Sequence, residues 1–385
     1  MKLTRADWVH LLLLWLGGID LRITMLAVPP LIPLIHHDLR LDEKGVGALV
    51  SLPVLLLAAA AVPGSLLIAK LGVRRALAAG LALVAVFGAA RGLGPSVPMM
   101  FSATFVMGVG VAVSQPAFPS LVRDWFPRRI ALATAVFSNG ILIGETLPTA
   151  LTSPAGALPL AHGDWRWALA LWSVVVALTA VAIAVAAPAG GKRHAVPTRW
   201  WPTWLEGQTV RIGVVMGMAS AVYFATNAYI PDFLDQTGRH QLISPTLALL
   251  NAGQLLTAPA VALWPRALSG RIGFLGSAAL MAMCQIGIIV TPGAAVIAWA
   301  PILGFAAALA FIVALTMPTR IAAAGDVHRM SAAVFTLQYA TGFVVPLIAG
   351  ALWDASSLAV LAFVPGIAAA ALMGWLALPL RVASA

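Results

Sequence analysis

Ser65-Leu66-Leu67-Ile68-Ala69-Lys70-Leu71-Gly72-Val73-Arg74-Arg75 closes one long apolar run, residues 45 to 69, and leads into another, residues 76 to 93. Each run has about the 20 residues that a helix rising ~1.5 Å per residue needs to cross ~30 Å of hydrocarbon. The link between them is too short for anything but a turn. Gly72 suits that turn because it tolerates positive φ, and Lys70, Arg74 and Arg75 place three positive charges beside it. A helical hairpin in a bilayer, with a basic turn on one face, is the structure these eleven residues imply.

Working outward from that hairpin, the same length criterion gives apolar spans at residues 8 to 35, 45 to 69, 76 to 93, 97 to 122, 130 to 153, 165 to 188, 211 to 234, 244 to 264, 272 to 291, 295 to 319, 330 to 353 and 358 to 380. Composition agrees: 61% of the 385 residues are hydrophobic and 9% are charged. An aqueous domain carries about a quarter of its residues as charges, so no sizeable soluble domain fits. The expected fold is an all-α membrane protein of twelve transmembrane helices in two six-helix halves.

The net charge of +10 raises the question of nucleic acid. Its distribution answers it. Lys2, Arg5, Lys70, Arg74, Arg75, Arg123, Arg128, Arg129, Lys192, Arg193, Arg199, Arg211, Arg266, Arg271, Arg320, Arg329 and Arg381 fall on the side of the termini, whereas Arg40, Lys44, Arg91, Arg166 and Arg239 fall on the other. Short loops rich in Lys and Arg stay cytoplasmic, so both termini are expected inside a bacterial inner membrane, and no nucleic-acid partner is expected. Membrane lipid is the surrounding partner and the chain is expected to be a monomer.

The expected organisation is a first half at 1–188, a central cytoplasmic loop at 189–210 and a second half at 211–385. The loop runs from Gly190, Gly191, Lys192, Arg193 and His194 to Arg199, Trp200, Trp201 and Trp204, a mixture suited to an amphipathic segment in the membrane interface. Lys2 and Arg5 ahead of Leu11 to Leu14 look like a secretory leader, but the apolar pattern continues to Ile35 without a small-residue cleavage site, so a retained first helix is expected. The lone cysteine, Cys284, forms no intramolecular disulfide and reads as a packing residue. Pro29, Pro30, Pro33, Pro116, Pro119, Pro148, Pro231, Pro259 and Pro346 fall within spans and are expected to kink them.

Two sets of motifs carry a family resemblance. The opening stretch, with its small residue, Lys70, Gly72, Arg74 and Arg75, resembles the loop signature of the major facilitator superfamily; it has Ala69 where most members have Asp. A plain basic inside loop is the simpler reading of the same residues. A narrower similarity, to the branch that contains cyanate and nitroimidazole transporters, rests on several segments. These are Asp20-Leu21-Arg22 followed by Pro29, Pro30 and Pro33; Arg123-Asp124-Trp125-Phe126-Pro127-Arg128-Arg129; Gly217 to Ser220 with Tyr223, Phe224, Tyr229, Pro231 and Leu234; and Gly342 to Pro346 with Gly350 and Asp354. Asp20 stands where that branch has Asn, and Glu145 lies in a stretch usually uncharged there. The resemblance implies the major facilitator fold, alternating access to a midplane site and a gating role for Lys70, Gly72, Arg74 and Arg75.

Function is carried by intramembrane polar groups, since a charge in hydrocarbon costs at least about 2.5 kcal/mol and persists only when paired or facing water. Arg22, midway along the first span, has a planar fork of donors that can hold a small anion bidentately; a structural ion pair with Glu145 or Asp20 is the alternative. Asp20, two residues away, points roughly 200° round the helix from Arg22. Glu145 shares a stripe with Ser138 and Thr149 and is a candidate proton carrier, or else the static partner of an arginine. Gly140 and Gly144 beside it suit close helix packing. Gln115, Tyr223, Asn227, Asn251, Gln254, Gln338 and Tyr339 are candidate substrate ligands, with interhelical hydrogen bonding as the alternative for each. Tyr229 is either a further ligand or an interface anchor. Arg91, at the outer end of the third span, is expected to snorkel, with attraction of anions to the mouth as the alternative. His36 and His37, adjacent histidines in a loop, lack the acidic or cysteine partners of a defined site, so no metal site is expected, and no cofactor.

Secondary transport of a small organic or inorganic anion, by proton-coupled uptake, is the expected function. Proton-driven efflux of drugs or other hydrophobic compounds is the alternative that the same fold supports. An enzyme is not expected, because no HExxH, GxSxG or phosphate-binding glycine loop is present.

Overall fold

The computed structural model describes residues 4–94, 96–152, 164–187, 206–268, 270–315, 317 and 327–380. These residues are helical, with no strand among them. Span-length segments follow one another at Arg5–Leu39, Glu43–Leu71, Val73–Leu93, Val97–Trp125, Ile130–Leu151, Trp165–Ala186, Gly207–Gln236, His240–Leu263, Gly270–Val290, Gly293–Ala314, Val327–Ser356 and Ala359–Ala377, spans 1 to 12 below. Ten of them are long and apolar enough to cross a membrane over their described residues. Of the expected central loop, residues 189–205 lie outside the described residues, with Lys192, Arg193, Arg199, Trp200, Trp201 and Trp204. Lys2, Arg320 and Arg381 lie outside them too.

Prolines interrupt three spans for a common reason: each removes the N–H that would bond the carbonyl four residues earlier. Span 1 ends its first helix at Leu26, passes through a tight turn at Pro29–Leu31 and resumes at Ile32–Leu39. Span 4 breaks at Gln115 and Pro116. Span 8 tightens to 3-10 geometry at Gln254–Leu256, ahead of Pro259. Pro148, Pro231 and Pro346, by contrast, sit inside uninterrupted helices.

Packing divides the chain into two compact units, Met1–Leu34 with Ala59–Thr198 and Ile35–Ala58 with Arg199–Ala385. Within the first, span 1 packs on spans 5 and 6, and span 3 on spans 4 and 6. Within the second, span 7 packs on spans 11 and 12, and span 9 on spans 10 and 12. The pairing is the same with six added to each number, as an internally repeated membrane fold requires. The close approach of spans 1 and 5 depends on glycine: a Cβ on Gly140 would run into the Trp15 carbonyl, and one on Gly144 into the Ile19 carbonyl.

Candidate functional site

In the first unit, the break in span 1 sets the scene. A regular helix would bond the Thr24 carbonyl to the Val28 amide, but that amide turns to Met25 instead, at 3.4 Å. Arg91 of span 3 supplies the missing donor, Nη2 to Thr24 O at 2.7 Å, and its Nε reaches the Gly88 carbonyl at 3.3 Å. Arg91 is only 1% exposed, so the expectation that it snorkels is wrong: the carbonyl end of the broken helix holds it inside.

Arg22 and Glu145 meet where spans 1 and 5 pack. Arg22 Nε lies 3.1 Å from Glu145 Oε1, with side chains 12% and 9% exposed, and Arg22 Nη1 donates to Met25 Sδ at 3.8 Å. The glycines that let these two helices touch bring the two charges within reach. Thr149, one turn beyond Glu145, is buried with its hydroxyl on the Glu145 carbonyl at 3.1 Å, while Ser138 is exposed. Asp20 looks away from Arg22, fully buried, with Thr179 of span 6 as its polar neighbour and no ion pair among the described residues. Gln115 is half-buried at the break in span 4.

At the turn between spans 2 and 3, Gly72 takes φ +82° and Val73 opens the next helix. Lys70 and Arg75 are exposed, and Arg74 donates to the Ala184 carbonyl near the end of span 6. This is a basic helix-to-helix turn.

In the second unit, four of the polar residues join one network across spans 7 and 8. The Tyr223 hydroxyl donates to Asn251 Oδ1 at 2.5 Å, and Asn251 Nδ2 donates to Leu247 O at 2.8 Å and, more weakly, to Asn227 Oδ1 at 3.4 Å. Asn227 Nδ2 bonds the Tyr223 carbonyl at 3.0 Å, and Gln254 Nε2 approaches Asn251 Oδ1 at 3.4 Å. Asn251 lies in the last turn of the first helix of span 8 and Gln254 opens the tightened 3-10 turn that follows. Gln338 of span 11 donates to Ser220 Oγ at 2.8 Å, and Tyr339 is buried, stacked on Phe335. Gln285 of span 9, which the sequence reading passed over, donates to Thr226 Oγ1 at 3.0 Å. A single amide in an apolar run was the signal that could have found it.

The same unit holds a polar cluster that no local pattern announces. Tyr229 is fully buried; its hydroxyl donates to the Pro346 carbonyl at 2.6 Å, with the Glu43 carbonyl 3.1 Å away, so it is no interface anchor. Asp354 accepts from the amides of Glu43 at 2.8 Å and Lys44 at 2.9 Å, and so caps the first turn of span 2 from span 11. His36 Nδ1 lies 2.9 Å from Asp232 Oδ2 and 4.0 Å from Glu43 Oε1. Of these two partners, Glu43 is near in sequence and Asp232 is brought from 196 positions away by the fold. His37 is exposed beside Asp38.

The family model for the Major Facilitator Superfamily matches residues 14–346. The cyanate transport protein of Escherichia coli (strain K12) is 29% identical over 259 residues, 66% of this chain and 66% of that protein. The 2-nitroimidazole transporter of the same organism is 25% identical over 347 residues, 87% of this chain and 86% of that protein. Among solved structures, a peptide transporter crystallised with sulfate superposes with a TM-score of 0.76 at 14% identity, covering 94% of this chain and 93% of that one.

Proposed function

Because the chain belongs to the Major Facilitator Superfamily, in the branch of its cyanate and nitroimidazole relatives, we propose that this secondary transporter carries a small anion, taken up with a proton across a bacterial inner membrane. The observation that carries this reading is the Arg22–Glu145 pair. A guanidinium inside a membrane protein needs a counter-charge, and Glu145 supplies it at rest. Protonating Glu145 removes that counter-charge and leaves Arg22 to be satisfied by an incoming anion, for which its fork of donors is suited. One anion and one proton then enter together and the buried charge stays balanced throughout. Without the proton, the anion would add a negative charge to a site already neutral, at a cost of several kcal/mol. Asp20, buried with no ion-pair partner among the described residues, is the second candidate carrier.

The name of the cyanate relative supports a small anion, and that of the nitroimidazole relative a planar ligand. The Tyr223–Asn227–Asn251–Gln254 network, with Gln338 and Tyr339, is the proposed set of neutral ligands in the second unit; its amides already bond one another and would exchange those bonds for substrate. Gln115, at the break in span 4, belongs to the proposed first-unit set. Transport proceeds by alternating access, with both termini cytoplasmic and the chain acting as a monomer.

Thermal unfolding of the purified protein against a panel of small anions, planar nitroheterocycles and lipophilic cations tests the reading, because a ligand stabilises the state it binds. An anion that raises the melting temperature of the parent but not of Arg22→Ala supports it. Stabilisation only by lipophilic compounds, retained in Arg22→Ala, would replace it with efflux of hydrophobic molecules.

A further inference from the structure

Span 1 ends, and span 2 begins, against spans 7 and 11, and the residues that meet there are His36, Glu43, Asp232 and Asp354. Asp354 is spent on the amides that open span 2. The other three each turn a potential ligand atom toward a common point: the His36 nitrogen and the two carboxylate oxygens all lie within 4.8 Å of one another. Glu43 is 5% exposed and its Oε2 is buried with no hydrogen-bond partner among the described residues. Asp232 is 4% exposed. Two buried carboxylates thus share one imidazole as their sole basic partner among the described residues, which leaves the cluster short of positive charge.

We propose that His36, Glu43 and Asp232 form a binding site for a divalent transition-metal ion of the Zn2+ class, which ties the turn between spans 1 and 2 to span 7. The donor set is one imidazole nitrogen and two carboxylates, which suits Zn2+ and its neighbours; Mg2+ and Ca2+ prefer oxygen alone. Tetrahedral Zn2+ with bonds of about 2.0–2.2 Å needs ligand atoms about 3.3 Å apart. The His36 pairs at 2.9 and 4.0 Å bracket that value and all three ligand atoms lie within 4.8 Å of one another, so side-chain adjustments alone form the site. The His36 side chain is 29% exposed, which leaves one direction open for entry of the ion and for a water as fourth ligand. The proton between His36 Nδ1 and Asp232 is released when the ion binds. This site stands apart from the anion reading and involves neither Arg22 nor Glu145.

Zinc chloride titrated into the EDTA-stripped, full-length protein in detergent, followed by calorimetry and melting temperature, tests it. The expected result is saturable binding of about one ion per chain, a raised melting temperature, and a loss of at least tenfold in affinity in His36→Ala and Asp232→Asn. His37→Ala should bind as the parent does. Should Asp232→Asn fail to fold, His36→Gln replaces it, since that side chain is partly exposed. Cobalt(II) in place of zinc should give the strong visible absorption of a tetrahedral site, lost in His36→Gln. Absence of saturable binding in the parent, or binding unchanged in His36→Ala, would overturn the proposal.

Discussion

Arg22 and Glu145 form an ion pair at 3.1 Å between two helices that glycines allow to pack backbone against backbone. Opposite charges so placed are coupled, and removing one leaves the other stranded, at a cost of about 3–5 kcal/mol. Arg22→Met and Glu145→Leu should each lower the melting temperature clearly, while the double variant recovers most of the loss. Additive losses in this cycle would show that the two side chains do not depend on each other.

Glu145→Gln keeps the shape of the side chain and removes its titration. In proteoliposomes, the variant should exchange labelled substrate across the membrane at near the parental rate but fail to accumulate it when a pH gradient is imposed. Asp20→Asn should keep both exchange and part of the accumulation. If Glu145→Gln accumulates substrate as the parent does, Glu145 is a structural partner of Arg22 and the proton travels elsewhere.

Gly144→Val places a branched side chain against the Ile19 carbonyl and should force spans 1 and 5 apart. A drop of several degrees in melting temperature and loss of transport are expected. Gly276→Ala is the control, because nothing lies within 4 Å of a Cβ added there. Equal behaviour of the two variants would mean that the first contact does not matter.

Arg91→Met leaves the Thr24 carbonyl without its donor in a buried site, at a cost of about 1–3 kcal/mol. Arg91→Lys retains a charge but not the two-armed reach to Thr24 and Gly88, so it should rescue only part of the loss. Melting temperatures of the three proteins decide it. Full stability in Arg91→Met would indicate that water replaces the guanidinium.

The spans were legible because twenty-residue apolar runs have few meanings, and Arg22 and Glu145 because a charge stands out in such a run. Tyr223 with Asn227, and Asn251 with Gln254, were legible as face-sharing pairs through their helical spacing. Arg91 was misread because its acceptor is a backbone carbonyl left free where another span breaks, which residue types do not record. The contact of His36 with Asp232 was not legible for a related reason: the two are 196 positions apart, and local spacing says nothing about such a contact. Gln285 needed no such contact to be noticed, only the same attention to a lone amide that Gln115 received.

The docking of residues 35–58 among spans 7 and 11 also bears on how the protein is made. Glu43 reaches the bilayer early, yet the carboxylate that caps its helix, on Asp354, is translated 311 residues later. At ~5–20 residues per second that is a delay of roughly 15–60 s. Throughout it, the opening turn of span 2 lacks its cap. A ribosome stalled before span 11 would therefore leave this corner open to water, proteases and chaperones, even with the other helices of the first half already inserted.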